Sequence, residues 1–265
     1  MSKRDEQQRI RRILIALDAS HHSLAALEAA AELAASLEAE LHGLFVEDAN
    51  LLRLAGLPVA REMRYPFATP TRLDRARMER ALRAQATQAR QALAAASERR
   101  HVEWSFRVVR GDVAPEVLAA ALEVDLLTLG KASRPLIRRV HLGSTARAAA
   151  EEALCCVLML QRDVGIRSPV VVTYDGTVTA RKALRLAAHL AHQQADNLTV
   201  LIVADVPDAA QRLHAEVSDS LRGQGLIVRY RQLPDAGAAT LTHEVRSEDS
   251  GVLVLSGTIL AREAL

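Results

Sequence analysis

LTLGKASRPLIRRVHLGSTARAAA, Leu127 to Ala150, leaves an apolar run, crosses a basic loop and enters a helix-forming stretch. Residues 126 to 150 hold no Asp or Glu, yet they include Lys131, Arg134, Arg138, Arg139 and Arg147, with His141 besides. Gly130, Ser133 and Gly143 punctuate the loop, and Ser144 and Thr145 follow. The chain as a whole mixes 34 basic with 32 acidic residues, for a net charge of +2. So small a total gives no global field for nucleic acid or an anionic membrane, and any electrostatic message must be local.

In open α/β sheets ligands sit outside the carboxyl ends of the strands, and this loop leaves such an end. Gly130 and Gly143 would let a phosphate approach backbone N–H groups that a side chain would shield. Ser144 or Thr145 would cap the next helix, whose N-terminal N–H groups and dipole attract an anion. The competing reading makes the glycines turn residues and the arginines a solvated face. Familiar phosphate loops do not fit. No G-x-x-x-x-G-K-[ST] occurs, and Gly223-x-Gly225 lacks a third glycine and precedes a strand.

Working outward, RILIAL (Arg12 to Leu17) reads as a buried strand ending at Asp18, and Leu24, Leu27, Ala31, Leu33 and Leu37 recur with helical period. ELHGLFVED predicts a second strand, residues 73 to about 100 a long helix, VEWSFRVVRG a strand, APEVLAAALEV a helix and DLLTLG another strand. A helix from Ser144 to Ala153 should then lead into CCVLML. Strands alternating with helices imply a parallel sheet covered on both faces. The order then restarts. SPVVVTYDG repeats strand-then-Asp at Asp175, NLTVLIVAD mirrors ELHGLFVED, and LIVRYRQLP, GAATLTHEV and GVLVLSG follow in the same sense. The copy has no counterpart of the basic loop, the fourth helix or the fifth strand. The expected division is a solvated tail (1–10), a first unit (11–163) and a degenerate second unit (168–265), with the boundary near Asp163 to Ser168.

Gly130, two residues, Ser133, nine residues, then Gly143-Ser144 resembles the Gly-x2-Gly-x9-Gly-[Ser/Thr] signature of ATP-binding universal stress proteins. ILIALDAS resembles that family's first strand with its acidic end, and FVED its second. The resemblance covers residues 11 to 163 well and 168 to 257 more weakly. It implies an adenine nucleotide alpha hydrolase-like α/β fold in two doubly wound units, the second lacking its last strand and helix. It further implies ATP as ligand, with or without Mg2+. Asp18 would meet the ribose or a metal near it, and the Val46 backbone the adenine. Gly130, Ser133, Gly143, Ser144 and Thr145 would hold phosphate and ribose. Ser133 departs from the motif, which has glycine there.

Other residues invite simpler readings. Asp18 and Asp175 would cap the helices that follow them, and His21 and His22 would be exposed at a helix start. His189 and His192 lack a third ligand, while Glu47 and Asp48 could hold Mg2+ or simply be solvated. Cys155 and Cys156 are neighbours that rarely bridge, and read as buried thiols. The 51–72 connection, carrying Met63, Tyr65 and Phe67, is a lid or interaction segment, or an irregular satellite of the core.

No nucleophile–base pair lies in a recognisable motif, no apolar run reaches membrane-span length, and MSKRDEQQRIRR lacks a signal-peptide core. The expectation is a cytoplasmic adenine-nucleotide-binding module of the stress response, not an enzyme, whose states an unknown protein partner reads. It should contact neither nucleic acid nor membrane. Cys155 to Leu160 should lie against the second unit, making a pseudo-dimer within one chain and leaving room for a further homodimer. The alternatives are a slow nucleotide hydrolase on the same fold and a ligand-free dimerisation scaffold.

Overall fold

The computed structural model describes residues 9–57, 61–62, 71–72, 74–130, 144–160, 169–194, 196–233 and 252–256. Strand β1 (Arg12–Ala16) is followed by helix α1 (His21–Leu37), β2 (Glu40–Asp48), a short helix α2 (Ala49–Ala55) and a ribbon of β3 (Arg61–Glu62) with β4 (Thr71–Arg72). Helix α3 (Arg75–Glu98), β5 (Trp104–Gly111), α4 (Val113–Ala121), β6 (Leu126–Gly130), α5 (Ser144–Glu152) and β7 (Cys156–Leu160) come next. The chain continues through β8 (Val170–Tyr174), α6 (Val178–His192), β9 (Asn197–Val203), α7 (Pro207–Leu221), β10 (Ile227–Leu233) and β11 (Val252–Leu255). The basic loop with Ser133 and Gly143, the boundary at 163–168 and the GAATLTHEV helix lie outside the described residues.

Nine strands form one sheet in the order β10-β9-β8-β11-β7-β6-β1-β2-β5. Every neighbouring pair is parallel except β7 with β11, which run antiparallel with Leu160 opposite Val252 and Val157 opposite Leu255. Beyond this seam, β6-β1-β2-β5 on one side and β8-β9-β10 on the other step outward through successive strand–helix–strand crossovers. Burial follows position. CVLML of β7 and VVVTY of β8 are buried throughout, as strands covered on both faces must be. The outermost strands, β5 and β10, instead alternate half-buried with exposed residues.

One face of the sheet packs α1, α3, α6 and α7, with Leu27, Leu33, Leu93, Leu184 and Val217 almost fully buried. The other packs α4 and α5 through Val117, Ala121, Ala149 and Ala150. Small residues at these helix positions let the backbones approach the sheet closely. Lys182 of α6 reaches across to Asp125, just before β6, at 3.0 Å. The same carboxylate accepts the N–H groups of Arg11 and Arg12. Ser36 of α1 meets His189 of α6 at 3.1 Å.

Three sequence expectations shift. The 51–72 connection is not simply irregular, since α2 and the β3–β4 ribbon occupy part of it. The helix caps are not Asp18 and Asp175. Ser20 caps α1 by accepting from Ser23 N–H, and Thr177 caps α6 by accepting from Ala180 N–H. The two aspartates stand two residues earlier and accept from the caps' own N–H groups, at 2.9 and 3.1 Å. Each turn therefore needs a left-handed residue between Asp and cap, and each has one: Ala19 at φ 57° and Gly176 at φ 80°.

Candidate functional site

At the carboxyl ends of β1, β2 and β6 the first half of the chain opens a cavity of about 440 Å³. Asp18 after β1, Val46 on β2, Gly130 closing β6, and Ser144 and Thr145 beginning α5 all line it. Five of the seven residues expected at the site thus converge from four segments. The other two, Ser133 and Gly143, lie outside the described residues. Much of the wall is apolar, with Leu17, Leu44, Val113, Val117 and Leu129 facing it. Apolar walls with a few convergent polar groups are the usual make-up of a small-molecule site, and the volume falls in its ordinary range.

The turn after β1 sets the polar end. Asp18 accepts from Ser20 N–H, while Ser23 Oγ donates to the Ser20 carbonyl and accepts from Asp18 N–H at 3.4 Å. Partial burial alone would raise the Asp18 pKa. The hydrogen bonds from Ser20 and Ser23 outweigh it and hold the group below its ordinary value. At neutral pH it is a fixed, ionised acceptor, suited to ligand groups that donate, such as hydroxyls.

Val46 contributes through its backbone. Leu41 N–H donates to Glu103 on the β5 side, and Leu17 N–H donates to the Leu44 carbonyl on the β1 side. Backbone groups alternate along a strand, so Val46, like Leu44, turns its N–H and C=O toward β1. Strand β1 has ended by then, and no backbone partner for Val46 appears among the described residues. A donor and an acceptor are left side by side at the cavity.

Helix α5 is described from Ser144, so Ser144 and Thr145 lie at its described N-terminal end, and the residues before them lie outside the described residues. The N–H groups at a helix start are unpaired within the helix, and partial positive charge collects there. Arg147 does not add free charge there, because it pairs with Glu151 at 2.7 Å along the helix. Lys131, Arg134, Arg138 and Arg139 lie outside the described residues.

Sequence reading missed Ser20, Ser23, Leu51, Leu82 and Gln85, which also line the cavity. Leu82 and Gln85 sit one turn apart on α3, but nothing local says that this helix leans over β2. The residues weighed for metal have other duties. Arg110 donates twice to one oxygen of Glu47, at 2.9 and 2.6 Å, and Asp48 caps α2 through Asn50 N–H. His192 pairs with Asp196 at 2.8 Å. Among the described residues no cluster of three His, Cys, Asp or Glu could hold a metal ion. Burial pushes the Cys155 thiol up to about 11 and that of Cys156 to about 12, and both are free. Those are inert core thiols.

A family model described as "Universal stress protein family" matches residues 9–161. Among solved structures, a universal stress protein from Archaeoglobus fulgidus DSM 4304 is similar over 93% of this chain and 98% of its own, with a TM-score of 0.63 and 14% identity. A functionally unknown protein from Pseudomonas aeruginosa PAO1 is similar over 97% of both chains, with a TM-score of 0.53 and 12% identity. At those identities the likeness shows the fold alone. None of the curated proteins matches the sequence. Among the described residues no helix is long and apolar enough to cross a membrane.

Proposed function

The chain belongs to the universal stress protein family, and from that premise we propose that it is a cytoplasmic binding module for an adenine nucleotide, ATP first, in the stress response. The observation that carries this reading is the convergence of Asp18, the Val46 backbone, Gly130, Ser144 and Thr145 on one apolar cavity. The residues fit the group. The paired donor and acceptor of Val46 match the edge of an adenine ring, which offers an amino donor beside a ring-nitrogen acceptor. Ionised Asp18 matches ribose hydroxyls, and the α5 N-terminus matches phosphate. Gly130, Ser133 and Gly143 would bring backbone N–H groups to the same phosphates.

ATP supplies the ligand and its charge. The chain orients it and exchanges no covalent bond with it. The site is a sensor in this reading: a partner protein distinguishes the filled from the empty state. Residues 168–265 form a second, degenerate unit, which completes the sheet across the β7–β11 seam and binds no nucleotide. Support for that comes from the repeated strand order and from the matching Asp18-Ala19-Ser20 and Asp175-Gly176-Thr177 turns.

Calorimetric titration of the intact chain with ATP tests the proposal. The expected site number is near one, and Gly143→Arg should abolish binding while circular dichroism stays unchanged, because its side chain would fill the phosphate position. No heat of binding, two equivalent sites, or unchanged affinity in folded Gly143→Arg would overturn it. Steady ADP release above the Gly143→Arg background would replace the binding module with a hydrolase.

A further inference from the structure

Strand β5 ends the sheet, and among the described residues only β2 pairs with it. The Glu103 carbonyl accepts from Leu41 N–H at 2.9 Å and so points toward β2. By alternation Ser105, Arg107 and Val109 also bond inward. The N–H and C=O groups of Trp104, Phe106 and Val108 therefore lie along the open edge. Open edges of this kind are templates for another strand, and proteins usually blunt them.

The side chains beside this edge form a groove. Trp104, Phe106 and Val108 floor it, Ala86, Thr87 and Arg90 of α3 wall it, and its volume is about 580 Å³. Val108 is 46% exposed, a large apolar surface for a β-branched residue at a strand centre. The wall is basic. Helix α3 carries Arg75, Arg77, Arg80, Arg83 and Arg90 against only Glu79 and Glu98. Arg83, Thr87 and Arg90 fall on one stripe of the helix at i, i+4 and i+7. Among the described residues Arg83 and Arg90 have no carboxylate partner. On the opposite face of β5, Arg107 has among the described residues only a loose contact with Glu123 at 3.7 Å.

We propose that the β5 edge takes an extended acidic segment of a partner protein as a tenth strand. Backbone pairing with Trp104, Phe106 and Val108 would supply affinity, and Arg83, Arg90 and Arg107 would select carboxylates on both faces of the added strand. Charge decides against a second copy of this chain as the occupant. Each β5 edge is flanked by Arg83 and Arg90 on one face and Arg107 on the other. Edge-to-edge pairing of two copies would set like charges opposite one another, which is unfavourable.

The test uses the intact chain without nucleotide, so its outcome is independent of the ligand reading. Fluorescent 12-residue peptides of repeating Glu-Glu-Val-Val, which present Glu on both faces of a strand, and matched peptides of repeating Lys-Lys-Val-Val are titrated by anisotropy. The Glu peptides should bind at least tenfold tighter. Val108→Pro removes an edge N–H that the β2 ladder does not use, so it should fold normally and lose at least tenfold in affinity. Arg83→Glu with Arg90→Glu, both on the surface, should reverse the preference. Unchanged binding by folded Val108→Pro would overturn strand addition, because it would leave only charge attraction. Equal binding of both peptide sets would overturn the charge selection. Sedimentation showing a dimer that Val108→Pro dissociates would assign the edge to a second copy and overturn the proposal as well.

Discussion

Ala19 and Gly176 hold the same left-handed backbone conformation, φ 57° and 80°, at the same point of two turns 157 residues apart. Each follows an aspartate that accepts from the N–H two residues on, and each precedes the N-cap of a helix, which is that donor. A glycine takes that conformation without a steric penalty, whereas an alanine costs roughly 1–2 kcal/mol. The first half of the chain therefore holds strain at the mouth of its cavity that the second half lacks. Ala19→Gly should leave the fold intact and raise stability by up to about 1 kcal/mol, part of the relief being offset by a freer unfolded chain. Gly176→Ala should cost more than about 1 kcal/mol, since its Cβ would also fall 2.7 Å from Leu213 Cδ2. Urea denaturation of both variants checks the pair. Equal and opposite shifts are not expected, because only the second introduces a clash.

The Asp125–Lys182 contact joins the two sides of the seam, and its members should be unequal. Asp125 serves two backbone N–H groups as well as Lys182, so Asp125→Ala removes an acceptor shared by three donors. Lys182→Ala removes one of three partners and leaves the carboxylate held. The expected losses are about 2–4 kcal/mol for the first and about 1 kcal/mol for the second. Chemical denaturation measures both. A Lys182→Ala loss as large as that of Asp125→Ala would mean the ion pair, rather than the backbone contacts, anchors this corner.

Asp18 should matter through its charge. Asp18→Asn keeps the shape and removes the fixed acceptor, and half of the amide's polar capacity then donates. ATP affinity should fall by at least tenfold in a titration at neutral pH, with little change in the secondary structure seen by circular dichroism. Asp175→Ala should leave ATP affinity as it was. Comparable losses in both variants would place nucleotide in both halves.

His189 should give folding a pH dependence. Burial, and then the neighbouring His192 charge, lower its pKa from the ordinary value. The unfolded chain therefore binds this proton at a higher pH than the folded chain does. The stability that depends on neutral His189 is full above the unfolded value of about 6.5 and is lost as pH falls through it toward the lower folded value. His189→Gln, which can still hydrogen-bond Ser36, should flatten stability against pH in that window. An unchanged slope in thermal melts at pH 5.5 and 7.5 would assign the dependence to other groups.

The sequence by itself determined the order of the main strands and helices among the described residues, because buried strands and amphipathic helices are written in residues a few positions apart. The family followed from the same kind of signal: DAS after β1, FVED on β2 and the spacing from Gly130 to Gly143 are local patterns. Naming Asp18, Val46, Gly130, Ser144 and Thr145 needed only that match. Their meeting at one cavity is a property of the parallel sheet, which brings the carboxyl ends of β1, β2 and β6 together. The tertiary structure alone decided the rest. Ser20 rather than Asp18 became the cap because the turn closes through a left-handed Ala19. Gln85 and Leu82 reached the cavity because α3 packs over β2. The antiparallel seam of β7 with β11, the reach of Lys182 to Asp125 and the outward backbone of Val108 all depend on which strands become neighbours. No short window records that choice, since it is made by burying whole faces of helices and strands against one another.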